Sequence, residues 1–112
     1  MRVFVSGALN SDSVGFLRNV RKMLLYGHEV LQLGVRVYIP CNDILVSLVG
    51  GCFDHEDYLK YDLMELMYCD AIFMVPGYKN SEGANGELTM ALANNIPVFE
   101  SLEDLKEYLE EL

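Results

Sequence analysis

The sequence predicts an α/β protein with a parallel sheet of four to five strands and helices on both faces. Two observations carry this prediction. Short, fully apolar runs of the kind found in buried parallel strands recur along the chain. Amphipathic segments of helical length separate these runs, and strands that alternate with helices form a parallel sheet. With 112 residues and no repeat or linker, we expect a single domain over residues 1–112.

The N-terminal third of the chain predicts a strand followed by a long helix. Residues 3–5 are an apolar run that ends at a Ser-Gly pair, which is typical of a buried strand followed by a turn. Apolar residues at helical spacing from Val14 onward predict one helix, and Gly34 is a natural residue to end it. Gly27 lies inside this pattern and is unfavourable there, so a helix broken at Gly27 and a strand over residues 29–33 are the alternative.

The rest of the chain continues the alternation of strands and helices. Residues 41–53 fit no single element. The other segments predict, in order, a strand over 35–39, a helix over 54–69, a strand over 71–75, a helix over 84–93, a strand over 97–99 and a final helix capped by Ser101. This order predicts a three-layer domain of the flavodoxin or Rossmann type.

Charge and hydropathy exclude several classes of partner. The net charge is -9, from 17 acidic and 8 basic residues. A protein this negative is repelled by nucleic acid polymers and by anionic membranes, although a local group of N–H donors can still bind a small phosphorylated ligand. No apolar stretch approaches the length of a membrane span, and the first apolar run is too short for a signal peptide. We therefore expect a cytoplasmic protein.

The cysteines and the sequence motifs indicate neither a disulfide framework nor a metal or cofactor. Cys41, Cys52 and Cys69 are odd in number and none forms a CxxC pair. Cys69 lies in an apolar run and is expected to be a buried thiol. Dinucleotide-binding, P-loop and metal-ligand motifs are absent from the sequence, so no cofactor is expected.

The loop and helix after the third predicted strand are the most informative place for chemistry. Ligands of parallel sheets bind beyond the carboxyl ends of the strands. Gly83 and Gly86 would let the backbone approach a ligand, and Glu87 would lie in the first turn of the next helix. There the helix dipole would favour the ionised form that a carboxylate nucleophile needs. The alternative is an acid that only stabilises the helix start, although Ala84 does not supply the Ser or Thr of a capping box.

Two further carboxylates lie near the third strand. Asp62 falls on the preceding helix, and taken alone it is expected to face solvent. Asp70 begins the strand, where it could cap the loop.

Four segments form a recognisable pattern: residues 61–72, Pro76-Gly77, residues 81–87 and Ala91. This pattern resembles the nucleoside 2-deoxyribosyltransferase superfamily, and most closely its small branch labelled DUF4406. The resemblance implies that Glu87 is a nucleophile that attacks C1′ of a deoxyribonucleoside. It implies that Asp62, eight residues before Asp70, is the general acid/base. Ser6, Gly7, Asp70, Ser81 and Gly83 are then expected to shape the sugar or phosphate site.

The resemblance therefore predicts a nucleoside 2-deoxyribosyltransferase or a (deoxy)nucleoside 5′-monophosphate N-glycosidase. The alternative is a non-catalytic module that binds or senses nucleotides. Ser81 matches a Ser that binds a 5′-phosphate in relatives, whereas Ala8 replaces a phosphate-binding Ser of others; Ser11 or Arg18 could substitute for it. The expected partners are a small nucleoside or nucleotide and, as in characterised relatives, further copies of the chain in a homodimer or higher homo-oligomer.

Overall fold

The predicted α/β architecture is confirmed by the structure, a computed structural model. It describes the backbone of residues 1–9, 13–40 and 55–112, and the side chains of the same ranges except residues 13 and 55–59. The ambiguous segment 41–53 and the Ser11 candidate lie outside the described residues. The strands are β1 (Arg2–Ser6), β2 (Arg36–Tyr38), β3 (Ala71–Met74) and β4 (Val98–Phe99). The helices are α1 (Ser13–Leu31), α2 (His55–Leu66), α3 (Glu82–Ala93) and α4 (Leu102–Glu110), with a 3-10 turn at Tyr78–Asn80.

The four strands form one parallel sheet in the order β2-β1-β3-β4. Val3 of β1 pairs with Val37 on one side and with Ala71 on the other. The chain therefore leaves β1 toward one edge of the sheet and later returns to build the other half. This reversal makes the carboxyl ends of β1 and β3 the switch point, which is where open α/β sheets bind ligands.

Alternating strand residues divide the core between two faces of the sheet. Val3, Val5 and Phe73 pack with apolar residues of α1 and α4. Phe4 and Ile72 pack on the opposite face with residues of α2 and α3. We call these the α1/α4 face and the α2/α3 face.

Helix α1 is continuous through Gly27, so the predicted single helix is confirmed and the break at Gly27 is wrong. The glycine is buried, and a Cβ added there would lie 2.3 Å from Cδ1 of Ile39. The missing side chain lets α1 pack closely on the end of β2, which offsets the low helix propensity of glycine. The chain then turns at Gly34 in a left-handed conformation, with φ of 91°.

Helix α3 begins two residues earlier than the sequence predicts. Ser81 is its N-cap, and the Ser81 hydroxyl accepts a hydrogen bond of 3.2 Å from the backbone N–H of Ala84. Glu87 is consequently the sixth residue of α3 and lies in its second turn. The prediction of a first-turn position was wrong because Ser81 provides a cap that the glycine-rich pattern did not reveal.

Two predictions about single residues are confirmed. Ser101 caps α4 by accepting a hydrogen bond of 3.1 Å from the N–H of Asp104. Cys69 is a buried free thiol, and burial raises its pKa to about 11. None of the helices in the described part of the chain has the length and apolar character that a membrane crossing requires.

Candidate functional site

The last residue of β1 and the middle of α3 meet through a buried hydrogen bond. Ser6 follows Phe4 on the α2/α3 face, because strand side chains alternate. Its Oγ donates to Oε1 of Glu87 over 2.6 Å. The Ser6 side chain is fully buried and Glu87 is 5% exposed. Two residues separated by 81 positions in sequence thus form one polar pair at the carboxyl edge of the sheet.

Burial dominates the electrostatics of Glu87. Loss of solvent raises the pKa of this carboxyl group to about 7, and the hydrogen bond from Ser6 opposes the rise by stabilising the ionised form. The helix dipole acts mainly within the first turn, so it does little for a second-turn residue. Burial therefore disfavours the ionised form that the sequence suggested for Glu87, and the carboxyl group titrates near neutral pH.

Asp62 is buried on the same side of the sheet as Glu87. It is 7% exposed, so the alternative of a solvent-facing helix acid is wrong. The hydroxyl of Tyr38 donates to Oδ1 of Asp62 over 3.1 Å, and the Tyr38 ring packs on Phe4 with centroids 5.3 Å apart. Helices α2 and α3, which carry the two carboxyl groups, contact each other. Both predicted catalytic acids therefore lie on the α2/α3 face.

Buried polar side chains are confined to this face in the part of the chain whose side chains are described. They are Ser6, Asp62 and Glu87. A carboxyl group withdrawn from water destabilises the folded state unless it is paired or neutralised. Buried acids with shifted pKa values are for that reason concentrated at functional sites.

Asp70 lies at the opposite edge of the sheet from these residues, and its part in the sugar or phosphate site stays a prediction. Its Oδ2 accepts a hydrogen bond of 2.9 Å from the N–H of Arg2, and its own N–H donates to the carbonyl of Arg2. Both residues lie where β1 and β3 begin. Met74 ends β3 beside Ser6, so Asp70 is about 13 Å away along the strand. The carboxylate ties two strand starts together at the amino edge.

The remaining predicted site residues lie at the carboxyl edge. Gly7 follows Ser6 and is buried; a Cβ there would lie 3.0 Å from Cβ of Val75 and 3.1 Å from Cε of Met23, which explains the glycine by packing. Ser81 is partly buried and its hydroxyl caps α3. Gly83 lies in the first turn of that helix. A role of these three residues in binding substrate stays a prediction.

Described residues line two clefts at this edge of the sheet. The larger, of about 420 Å³, has walls from Met74, residues 76–80 and Glu100. The smaller, of about 200 Å³, is lined by residues 7–8, Asn19, residues 22–23 and 75–77. Neither wall includes Ser6 or Glu87. Gly7 of the smaller cleft directly follows Ser6, however, and Met74 of the larger is the registered partner of Ser6 on β3.

Two residues of interest escaped the reasoning from sequence. Tyr38 could have been found, since the alternation over residues 35–39 places it on one face of a strand close to that strand's carboxyl end. Lys22 gives no comparable signal, because it lies on the exposed surface of α1 and reaches the sheet edge only in the folded protein. Among the described residues, no group of three His, Cys, Asp or Glu side chains is placed to hold a metal ion.

Comparisons with known proteins give a family and a fold. Residues 1–100 match the family model of a domain of unknown function, DUF4406. No curated protein matches the sequence. Among solved structures, the fold is similar to that of a 2-deoxyribosyltransferase from Bacillus psychrosaccharolyticus, with a TM-score of 0.67 at 17% identity. The match covers 88% of this chain and 69% of that one. The chain therefore belongs to the DUF4406 family and has the fold of a 2-deoxyribosyltransferase, as its sequence predicted.

Proposed function

We propose that the protein cleaves the N-glycosidic bond of a nucleoside or of its 5′-monophosphate, with Glu87 as the nucleophile. The observation that carries the proposal is the buried pair of Ser6 and Glu87 at the carboxyl edge, with a second buried acid, Asp62, on the same face. The similarity in fold to a 2-deoxyribosyltransferase supports the same chemistry.

The proposed reaction proceeds in two displacements at one sugar carbon. A Glu87 oxygen bonds to C1′ while the bond from C1′ to the base nitrogen breaks, and Asp62 donates a proton to the departing base. The result is a glycosyl ester on Glu87. A water molecule or a second base then attacks C1′ and releases Glu87, and Asp62 regains a proton from the attacking group. Water makes the protein a hydrolase, and a second base makes it a transferase.

The environment of Glu87 suits this role. The transition state carries positive charge on the sugar ring, so an adjacent carboxylate stabilises it most strongly in a site without water. The same positive charge favours ionisation of the Glu87 carboxyl group, whose pKa is otherwise about 7. Ser6 holds one carboxylate oxygen at 2.6 Å and so fixes the orientation of the nucleophile.

Tyr38 is proposed as a positioning residue for Asp62. Its hydroxyl donates to Oδ1 of Asp62, and its ring is fixed by packing on Phe4. A hydrogen bond to one carboxyl oxygen limits rotation of the group, which a general acid needs because proton transfer requires close, defined geometry.

The test is release of free base from a panel of deoxynucleosides and their 5′-monophosphates during long incubation. We expect wild-type protein to release base and the Glu87→Gln variant to lose at least about 1,000-fold in rate, because the amide is not a nucleophile. Glu82→Gln is the matched control: it removes an exposed carboxylate from the same helix and should leave the rate unchanged. Equal rates for wild type and Glu87→Gln would overturn the assignment.

A non-catalytic nucleotide-binding module is the second candidate, and one observation favours it. A carboxyl group with a pKa of about 7 is partly protonated at neutral pH and can then donate a hydrogen bond to a ligand without chemistry. This function predicts calorimetric binding of a nucleotide with no free base after prolonged incubation. Base release that depends on Glu87 would exclude it.

We also propose that the protein is a homo-oligomer. The outer surface of α1 exposes large apolar side chains at helical spacing, among them Val14, Leu17 and Leu31, which are each more than half exposed. Apolar stripes of this kind are typical of association surfaces. Light scattering should give a dimer or larger species at micromolar concentration, and Leu17→Glu should shift it toward the monomer. A monomeric wild-type protein would contradict the proposal.

A further inference from the structure

The hydroxyl group of Ser6 is fixed in place by the sheet. Ser6 is the last residue of β1, and its side chain is fully buried. Its partner in register on β3 is Met74, and its carbonyl oxygen accepts a hydrogen bond of 2.7 Å from the N–H of Val75. A donor held in this way needs no reorganisation when charge forms beside it, and burial strengthens the interaction.

Ser6 is the hydrogen-bond donor that the described residues supply to the carboxyl group of Glu87. Its Oγ lies 2.6 Å from Oε1, a distance typical of a hydroxyl group that donates to a carboxylate. Such a bond is roughly twice as strong as a bond between neutral groups, so it favours the ionised form of Glu87. In this way Ser6 opposes the effect of burial, which raises the pKa of Glu87 to about 7.

The other titratable groups on the α2/α3 face do not stabilise an ionised Glu87. The elements packed there contribute Asp62 from α2, Tyr38 from β2, Tyr78 from the 3-10 turn and Cys69 from the segment before β3. Burial raises the pKa of Cys69, and the hydrogen bond with Glu100 raises that of Tyr78, so both stay neutral near pH 7. Asp62 would repel a second negative charge. None of these four side chains can carry a positive charge, which leaves Ser6.

We propose that Ser6 stabilises the ionised form of Glu87 at both points where that form is needed: in the free protein, and when Glu87 leaves the sugar. The proposal rests on the function proposed above and extends it to the second displacement. Because Ser6 holds Oε1, Oε2 is the oxygen that bonds to C1′. In the second displacement the bond between Oε2 and C1′ breaks and its electron pair returns to the Glu87 carboxylate, while the hydroxyl proton stays on Ser6.

The two displacements depend on this hydrogen bond in opposite ways. Before the first, Glu87 is already a carboxylate, so the bond stabilises the starting state more than the transition state. Before the second, Glu87 is a neutral ester that gains negative charge as it leaves, so the bond stabilises the transition state. At a pH that ionises Glu87, loss of the Ser6 hydroxyl group should therefore slow release of the sugar more than its capture.

The first measurement needs no substrate. Protein with isotopically labelled glutamate carboxyl carbons is titrated by NMR, and the Glu87 signal is the one that disappears in Glu87→Gln. We expect Glu87 to titrate near pH 7 in wild type and at higher pH in Ser6→Ala. Ser6→Cys, whose thiol is a weak donor of similar size, should give an intermediate result. Thr89→Ala removes a hydroxyl group from the exposed surface of α3 and is the matched control, which should titrate as wild type.

The second measurement follows turnover of the deoxynucleoside or 5′-monophosphate that wild-type protein cleaves. At a pH that ionises Glu87 in all variants, Ser6→Ala should slow release of the sugar about tenfold or more, as expected for one hydrogen bond to a charged group. Base release should then begin with a burst. Intact-mass spectrometry of acid-quenched samples should show a larger fraction of protein that carries the sugar than in wild type or Thr89→Ala.

Either measurement can overturn the inference. If Glu87 titrates at the same pH in wild type and Ser6→Ala, Ser6 does not stabilise the ionised form. If the fraction of protein that carries the sugar is equal or smaller in Ser6→Ala, Ser6 does not assist release. Failure of the proposed function gives a different result: wild-type protein that releases no base would reject the enzymatic function and the release step, while a titration that depends on Ser6 would retain its effect on ionisation.

Discussion

The two faces of the sheet share the same strands but differ in what they bury near the carboxyl edge. On the α1/α4 face, inward side chains stay apolar along the strands, from Val3 to Val5 and from Phe73 to Val75. On the α2/α3 face, Phe4 is followed by Ser6, and the two covering helices bury Asp62 and Glu87.

Because of this difference, the two faces contribute unequally to the stability of the folded state. On the α1/α4 face, burial of apolar side chains stabilises the folded state by roughly 25 cal/mol for each Å² of apolar surface. On the α2/α3 face this stabilisation is smaller, because removing carboxyl groups from water destabilises the folded state. Such a loss is tolerated where the buried groups have a function, so the asymmetry of the faces indicates where to look for activity.

The largest loss of stability is expected from a substitution on the α1/α4 face. Phe73 is fully buried and its ring stacks on Tyr26, with centroids 5.8 Å apart. Phe73→Ala should lower the free energy of unfolding by about 3–5 kcal/mol, through lost burial and a residual cavity. Chemical denaturation measures this loss. Base release per folded molecule should stay within about twofold of wild type, and a much larger fall would break the separation between the faces.

On the α2/α3 face, removing the carboxyl group of Glu87 should stabilise the protein at high pH. The pKa of Glu87 is about 7 in the folded protein and 4.5 for an unperturbed glutamate, so between these values the folded state holds a proton that the unfolded state releases. Wild-type stability is therefore lost as pH rises through this window. Relative to Glu87→Gln, the loss should reach on the order of 3 kcal/mol by about pH 8.

Denaturation of both proteins at several pH values from about 4 to 8 tests this linkage, because other titrating groups cancel in the difference. A difference between wild type and Glu87→Gln that does not change with pH would show that burial leaves the pKa of Glu87 unshifted.

A smaller effect is expected from Tyr38, which we propose positions Asp62 on the α2/α3 face. Tyr38→Phe removes the hydroxyl that donates to Asp62 and keeps the ring on Phe4. We expect kcat to fall about tenfold with little change in KM, because a less well positioned Asp62 carboxyl group transfers its proton more slowly. Steady-state kinetics of wild type and variant check this. A changed KM with an unchanged kcat would indicate a structural role instead.

The smallest effect is expected from a substitution at the amino edge of the sheet, where β1 and β3 begin. Asp70 is exposed and bonds to the N–H of Arg2, so Asp70→Asn should cost at most about 1 kcal/mol of stability. Base release should not change, because Asp70 lies at the other end of β3. Thermal unfolding and a base-release assay measure the two quantities, and a loss of activity at unchanged stability would return Asp70 to the site.

The contrast between the two faces also explains which features of the structure could be predicted from the sequence. Apolar runs such as Val3–Val5 and Ala71–Val75 predicted the strands because fully buried parallel strands need little other information. The resemblance then supplied Glu87, Asp62 and Ser6, which the structure buries on one face.

What the sequence did not predict depends on three-dimensional packing. The raised pKa of Glu87 follows from burial, which no local pattern encodes, and the start of α3 depends on whether Ser81 or a later residue caps the helix. Asp70 kept the spacing seen in relatives, but a residue that begins a strand lies at the amino edge whatever its spacing. Lys22 reaches Pro76 across 54 positions of sequence, a contact that only the fold creates.

The most direct test of the central assignment is detection of the glycosyl ester on Glu87. Wild-type protein incubated with a deoxynucleoside 5′-monophosphate or the matching nucleoside is quenched with acid and analysed by intact-mass and peptide mass spectrometry. We expect one added sugar group, with its phosphate when the monophosphate is used, on the peptide that contains Glu87, and none in the Glu87→Gln variant. Release of base that continues undiminished in Glu87→Gln, or an ester found on a different residue, would contradict it.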